Sequence, residues 1–174
     1  MAQSSTGYNL DPPRVIVSTY TAAAGVDRVD DTTDQLTHTT KHTFYPGDLA
    51  VGDMVDVTAF FEIPSANGTD TLTIWAYLDG TNLFGASFSD PLNSGQVYTW
   101  TGALYVTAIG AAGSVHADGG QRRTFYTTTG APVVDFAVDM STAFDLDFRT
   151  QWNAANALNI VDMRALHVRI HRGG

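Results

Sequence analysis

Residues 54–63 run Met-Val-Asp-Val-Thr-Ala-Phe-Phe-Glu-Ile. Val55, Val57, Ala59, Phe61 and Ile63 fall on one face, and Met54, Asp56, Thr58, Phe60 and Glu62 on the other. This period of two marks a half-buried strand. Leu72, Ile74, Ala76 and Leu78 repeat it, and Asp79-Gly80 predicts a two-residue hairpin turn into a strand over 81–88. Residues 15–20 read as a short apolar strand and 22–35 as a surface loop or weak edge strand. A long strand is predicted over 97–109, bent or bulged at Gly102. Residues 110–120 read as a glycine-rich turn or loop, and 122–128 as a further strand. Val134, Phe136, Val138 and Met140 alternate with Asp135, Ala137 and Asp139, and Phe144, Leu146, Phe148 and Trp152 with Asp145, Asp147 and Arg149. The last strand places Leu166, Val168 and Ile170 inward and His167, Arg169 and His171 outward.

About nine strands separated by frequent turn signals predict a sandwich of two antiparallel sheets rather than a helix-crossed sheet. Composition agrees. The 174 residues include 17 Asp but one Glu, Glu62, and 8 Arg but one Lys, Lys41. Glu and Lys cover the solvent face of most helices, so long amphipathic helices are excluded. Thr, at 23, and Gly, at 16, suit strands joined by turns. Residues 14–174 are read as one sandwich domain. Residues 1–13, small and polar and ending in Pro12-Pro13, are read as an N-terminal arm.

Net charge is −9, which argues against a phosphate-binding surface, so no nucleic-acid partner is expected. No apolar run approaches the length of a membrane span, and no secretion signal is visible, so no membrane partner is expected. Cysteine is absent, which removes disulfides, thiolate metal sites and a cysteine nucleophile.

Candidate chemistry is sparse. Asp27, Asp30, Asp31 and Asp34 lack the glycine and glutamate spacing of a calcium loop and read as a solvated acidic loop. Asp145 and Asp147 share a strand face and could form a carboxylate pair for glycoside hydrolysis, but they read as ordinary outward polar positions. His38 with His42, and His167 with His171, could together hold zinc if their strands paired; otherwise they are exposed strand histidines. No nucleophile elbow or phosphate loop is present, and Ser114–Arg123 reads as a hairpin tip. No catalytic residue, metal or cofactor is therefore expected.

Aromatic residues carry more. Phe60, Trp75 and Tyr77 all alternate away from the apolar face. They could stack on sugar rings, form a subunit contact or lie under the arm or a loop. Aromatic anchors dominate protein interfaces, and a subunit interface containing all three is the expectation. In the arm, Tyr8, Leu10 and Pro12 are the apolar residues able to grip a neighbouring chain.

Two stretches resemble a known family. His42–Ile63 contains a Pro-Gly turn and then Asp-Leu-Ala-Val-Gly-Asp before a strongly alternating strand. Asp145–Ile170 contains Gln-Trp-Asn-Ala-Ala-Asn-Ala-Leu-Asn between its last two strands. This order, across roughly Leu36 to Ile170, resembles the jelly-roll structural proteins of tailed bacteriophage virions, including capsid decoration and head-stabilising proteins. In that family a "small-Leu-x-x-Gly-Asp" corner precedes a core strand and a "Gln-Trp-x-x-Ala-x-x-x-Asn" corner joins the last two. The resemblance implies a jelly-roll β-sandwich and a non-enzymatic virion part. The expectation is a decoration protein on the capsid exterior, associating as a homotrimer and bound to the major capsid protein of the same virion. The alternative is a carbohydrate- or receptor-binding module of a head or tail fibre, using Trp75, Tyr77 or the loop near 113–120.

Overall fold

The computed structural model describes residues 15–30, 33–88, 95–123, 126–127 and 134–173. The arm residues Tyr8, Leu10 and Pro12, and Asp31 of the acidic run, lie outside them. Among the described residues there is no helix, and thirteen strands follow one another: β1 (Val15–Thr21), β2 (Arg28–Asp30), β3 (Leu36–Thr37), β4 (His42–Phe44), β5 (Met54–Ser65), β6 (Leu72–Leu78), β7 (Thr81–Phe88), β8 (Gln96–Ala108), β9 (Gly113–Arg123), β10 (Tyr126–Thr127), β11 (Val134–Val138), β12 (Phe144–Trp152) and β13 (Ile160–His171).

Two antiparallel sheets divide these strands. Sheet A runs β1-β13-β5-β8-β9-β10, with β2 beside β13 and β11 beside β9; sheet B runs β3-β12-β6-β7, with β4 beside β12. The pairings nest. The β6–β7 hairpin lies innermost, followed outward by β5 with β8, β4 with β12 and β1 with β13. A long hairpin rolled up in this way is the jelly roll. Strands β9, β10 and β11, between β8 and β12, widen sheet A beyond the eight-strand winding.

The alternating residues build the core. Val55, Val57, Ala59, Phe61 and Ile63 from sheet A meet Leu72, Ile74, Ala76, Leu78, Leu146, Phe148 and Trp152 from sheet B, all essentially solvent-free. The innermost hairpin turns at Asp79 (φ 50°) and Gly80 (φ 72°), the two left-handed residues that a type I′ turn needs.

Three expectations change. First, β8 pairs without interruption through Gly102, and its irregularity falls between Val106 and Ala108. Gly102 instead makes room for Trp100: a Cβ there would stand 2.5 Å from the indole Cη2. Second, Gly113–Arg123 is strand β9 rather than a loop, because β8 pairs with residues 114–123 and β11 with residues 113–117. Third, the 22–35 region does carry a weak edge strand, β2, but its Asp27 is buried rather than solvated.

Candidate functional site

The side of the sandwich where β1 and β2 of sheet A face β3 and β4 of sheet B is closed by polar links. Tyr20 Oη lies 2.8 Å from His42 Nδ1. Asp27 Oδ1 lies 3.1 Å from His38 Nδ1, and His38 Nε2 lies 3.1 Å from Thr150 Oγ1. Asp27 also accepts from the backbone N–H groups of Thr39 and Thr40, each at 2.8 Å. Burial alone would raise the Asp27 carboxyl; the hydrogen bonds from His38, Thr40 and Thr39 outweigh it and hold the group far below the usual carboxylate range. Asp27 therefore belongs to a buried knot and not to a solvated loop. His38 and His42 are likewise buried rather than exposed. Burial lowers the pKa of His42.

His167 and His171 lie on the outer face of sheet A, His171 2.8 Å from Asp56 and His167 edge-on to Phe60. The two histidine pairs thus occupy opposite sides of sheet A, and the zinc cluster they could have formed is not assembled.

Both corner motifs are also polar knots. In the first, Asp53 is 1% exposed and accepts from the N–H of Ala50 (2.9 Å) and of Gly173 (3.0 Å) and from Arg172 Nη1. These bonds overcome the burial penalty and lower its pKa. Gly52, at φ 90°, makes the turn and donates its N–H to Val106 O. In the second, the Oδ1 of the fully buried Asn159 accepts from Asn67 N, while its Nδ2 donates to Asp70 Oδ2 and to Ala154 O. A fourth knot joins Asp162, Arg28 and Gly25 N. Sequence reasoning identified the surroundings of Asp53 and Asn159 as motifs but missed the knots around Asp27 and Asp162. Their partners lie 11 to 137 residues away. Asp162 is signalled only by its place in the apolar run 160–163, and Asp27 by nothing local.

The expected aromatic interface is not assembled on one surface. Phe60 is on β5 of sheet A, whereas Trp75 and Tyr77 are on β6 of sheet B, so their outward sides are the two opposite faces of the sandwich. Alternation assigns in and out along a strand but not the sheet to which a strand belongs. Tyr77 is also engaged within the chain. It stands opposite Asp147 on β12, reaches across that strand to donate to Gln35 Oε1 at 3.0 Å, and lies under Arg149, whose Cζ is 3.7 Å from the ring centroid. Trp75 pairs with Arg149 on one side and Gly85 on the other.

Beside this stack the two carboxylates are driven apart. Asp147 is nearly buried, and burial raises its pKa despite a 3.3 Å bond from Arg149 Nε. Lys41 Nζ (2.7 Å) and Thr43 Oγ1 (2.6 Å) each hold one oxygen of Asp145 and lower its pKa. Both Asp145 oxygens are committed, and Asp147 is tethered to Arg149, so the pair does not present a free base facing a free acid across a cleft. No group of three metal-ligating side chains occurs among the described residues.

No protein-family model matches the chain, and no curated protein matches its sequence. Solved structures of similar shape include lectin II from Ulex europaeus (9% identity, 92% of this chain and 95% of that one, TM-score 0.38). Lectin I-B4 from Griffonia simplicifolia in its metal-free form is another (8% identity, 96% and 97%, TM-score 0.39). A third is from the Gx strain of infectious bursal disease virus (16% identity, TM-score 0.42); the match takes in 92% of this chain and 34% of that one. At these identities the likeness is one of β-sandwich shape and does not extend to any site.

Proposed function

We propose that the protein is a non-enzymatic structural component of a tailed-phage virion that decorates the capsid exterior and stabilises the shell by binding the major capsid protein. The observation that carries this reading is the pair of corner motifs, Asp48–Asp53 and Gln151–Asn159, which resemble those of phage jelly-roll proteins and which are built as polar knots around Asp53 and Asn159. Such knots fix the strand connections of a rigid sandwich. The carboxylates that sequence alone could assign to chemistry are instead spent on holding the fold. A rigid body that repeats across a lattice gains occupancy through multivalency without strong individual contacts.

The fibre-module alternative draws less support. Tyr77 is covered by Arg149, and residues 113–120 form strand rather than a binding loop. The test is reconstitution: purified protein is added to shells lacking it and pelleted. Saturable binding at a fixed ratio to capsid subunits supports the proposal. Binding to host glycans without binding to shells would transfer the function to the alternative.

A further inference from the structure

Among the described residues, strand β1 is the outermost strand of sheet A along one side. It pairs with β13 in unbroken register from Val15 opposite His171 to Thr21 opposite Ala165. Just beyond it, Ala22 still donates its N–H to Arg164 O at 3.0 Å. Antiparallel pairing alternates the direction of the backbone groups, so residues 16, 18 and 20 turn their N–H and C=O toward β13, and Val15, Val17, Thr19 and Thr21 turn theirs away from the sheet. Strand β2 meets β13 only at Ile160–Asp162 and does not cover this edge.

An edge of this kind is normally blunted by brevity, charge, proline or a bulge. The other described edges are: β2, β3, β4 and β10 have two or three residues, β11 carries the exposed Asp135, and β7 carries Gly85 beside a register shift at Ala76–Tyr77. β1 uses none of these devices. Its seven residues, Val-Ile-Val-Ser-Thr-Tyr-Thr, include no charge in a chain of net charge −9, and Ile16 and Val17 are 45% and 55% exposed on opposite sides of the strand.

We infer that β1 pairs with β1 of a second copy, antiparallel across a two-fold axis through Ser18, joining the two A sheets into one. In this register Val17 faces Thr19 and Val15 faces Thr21 of the other copy. These are the residues whose backbone groups point outward, so every free N–H and C=O of both strands is satisfied. Ile16 then faces Tyr20 on the inner side, covering apolar surface that the single chain leaves open. The uncharged strand lets two acidic chains approach without like charges meeting at the seam, and a self-complementary contact closes as a dimer. Lattice geometry alone suggests a trimer; the edge specifies two-fold pairing, and it does so whether or not the protein resides on a virion.

The test uses the full chain in sedimentation velocity over a concentration series, with far-ultraviolet circular dichroism and melting curves to confirm folding. The wild type is expected to dimerise. Val17→Lys with Thr19→Lys places like charges opposite each other twice across the seam and raises the dissociation constant by about tenfold or more. It does so although it reduces the repulsion between two acidic chains. Val17→Glu with Thr19→Lys sets a carboxylate opposite an ammonium at both of those places and restores wild-type association. A monomeric wild type, or two double variants that dimerise equally well, would overturn the proposal. So would a full chain that dimerises only after residues 1–13 are removed, because its own arm would then occupy the edge.

Discussion

Asn159 Nδ2 donates to Asp70 Oδ2 at 2.8 Å, tying the turn before β6 to the corner that leads into β13. The same side chain accepts from Asn67 N and donates to Ala154 O, so one buried amide ties the 67–70 turn to its own corner. Amide chemistry is required at this position because it must donate on one side and accept on the other.

Asn159→Asp is therefore expected to destabilise the protein although its shape is unchanged. It sets one carboxylate against another in a buried site, at a cost of about 3 kcal/mol. Asn159→Ala leaves Asp70 and Asn67 N short of a partner and costs about 2 kcal/mol. Urea denaturation at neutral pH measures both, and an Asp variant as stable as the wild type would remove the knot from the account.

Asp53 gives a parallel case at the other corner. Asp53→Ala frees the N–H groups of Ala50 and Gly173 and leaves Arg172 without its partner. A loss of about 2–4 kcal/mol is expected, with faster amide exchange at Gly173 and Ala50 than elsewhere.

How much of this could be read from the chain depends on the range of each signal. The β5 alternation and the Asp79-Gly80 turn are local, and both appear in the structure where the sequence puts them. β9 was hidden because Gly113, Gly119 and Gly120 look like loop residues, while the pairing with β8 and β11 that makes them strand is long-range. The buried Asp27–His38 pair was unreadable because each residue alone looks solvated. Placing Phe60 and Trp75 on one surface failed because the sheet to which a strand belongs is a property of the winding and not of its own pattern.

Gly102→Ala tests the reassigned role of that glycine. A Cβ would stand 2.5 Å from Trp100 Cη2 and 3.3 Å from Asp118 O, so the indole must shift within the core. Destabilisation of about 1–3 kcal/mol is expected, together with altered tryptophan fluorescence. A neutral substitution would show that Trp100 does not depend on the space at Gly102.

The pH dependence follows from the directions of the shifts. His42, Asp27, Asp53 and Asp162 all have lowered pKa values in the folded chain, so each binds its proton more tightly when unfolded. Their contribution is complete above the unfolded values and is lost as pH falls: first through His42 below about 6.5, then through the aspartates below about 3.9. Asp147 has the opposite sign. Its raised pKa means that ionisation disfavours the folded state as pH rises above about 3.9, so Asp147→Asn is expected to be neutral or stabilising at pH 7. Melting temperatures from pH 3 to pH 8 for the wild type and Asp147→Asn would check both signs.

The central claim, a structural part on the outside of a phage head, is tested most directly by cryo-electron microscopy of purified particles that carry the protein. The account predicts a compact two-sheet density at regularly repeated positions on the outer surface of the shell, in contact with the major capsid protein. Density confined to the tail or fibres, or the absence of the protein from purified particles, would contradict it.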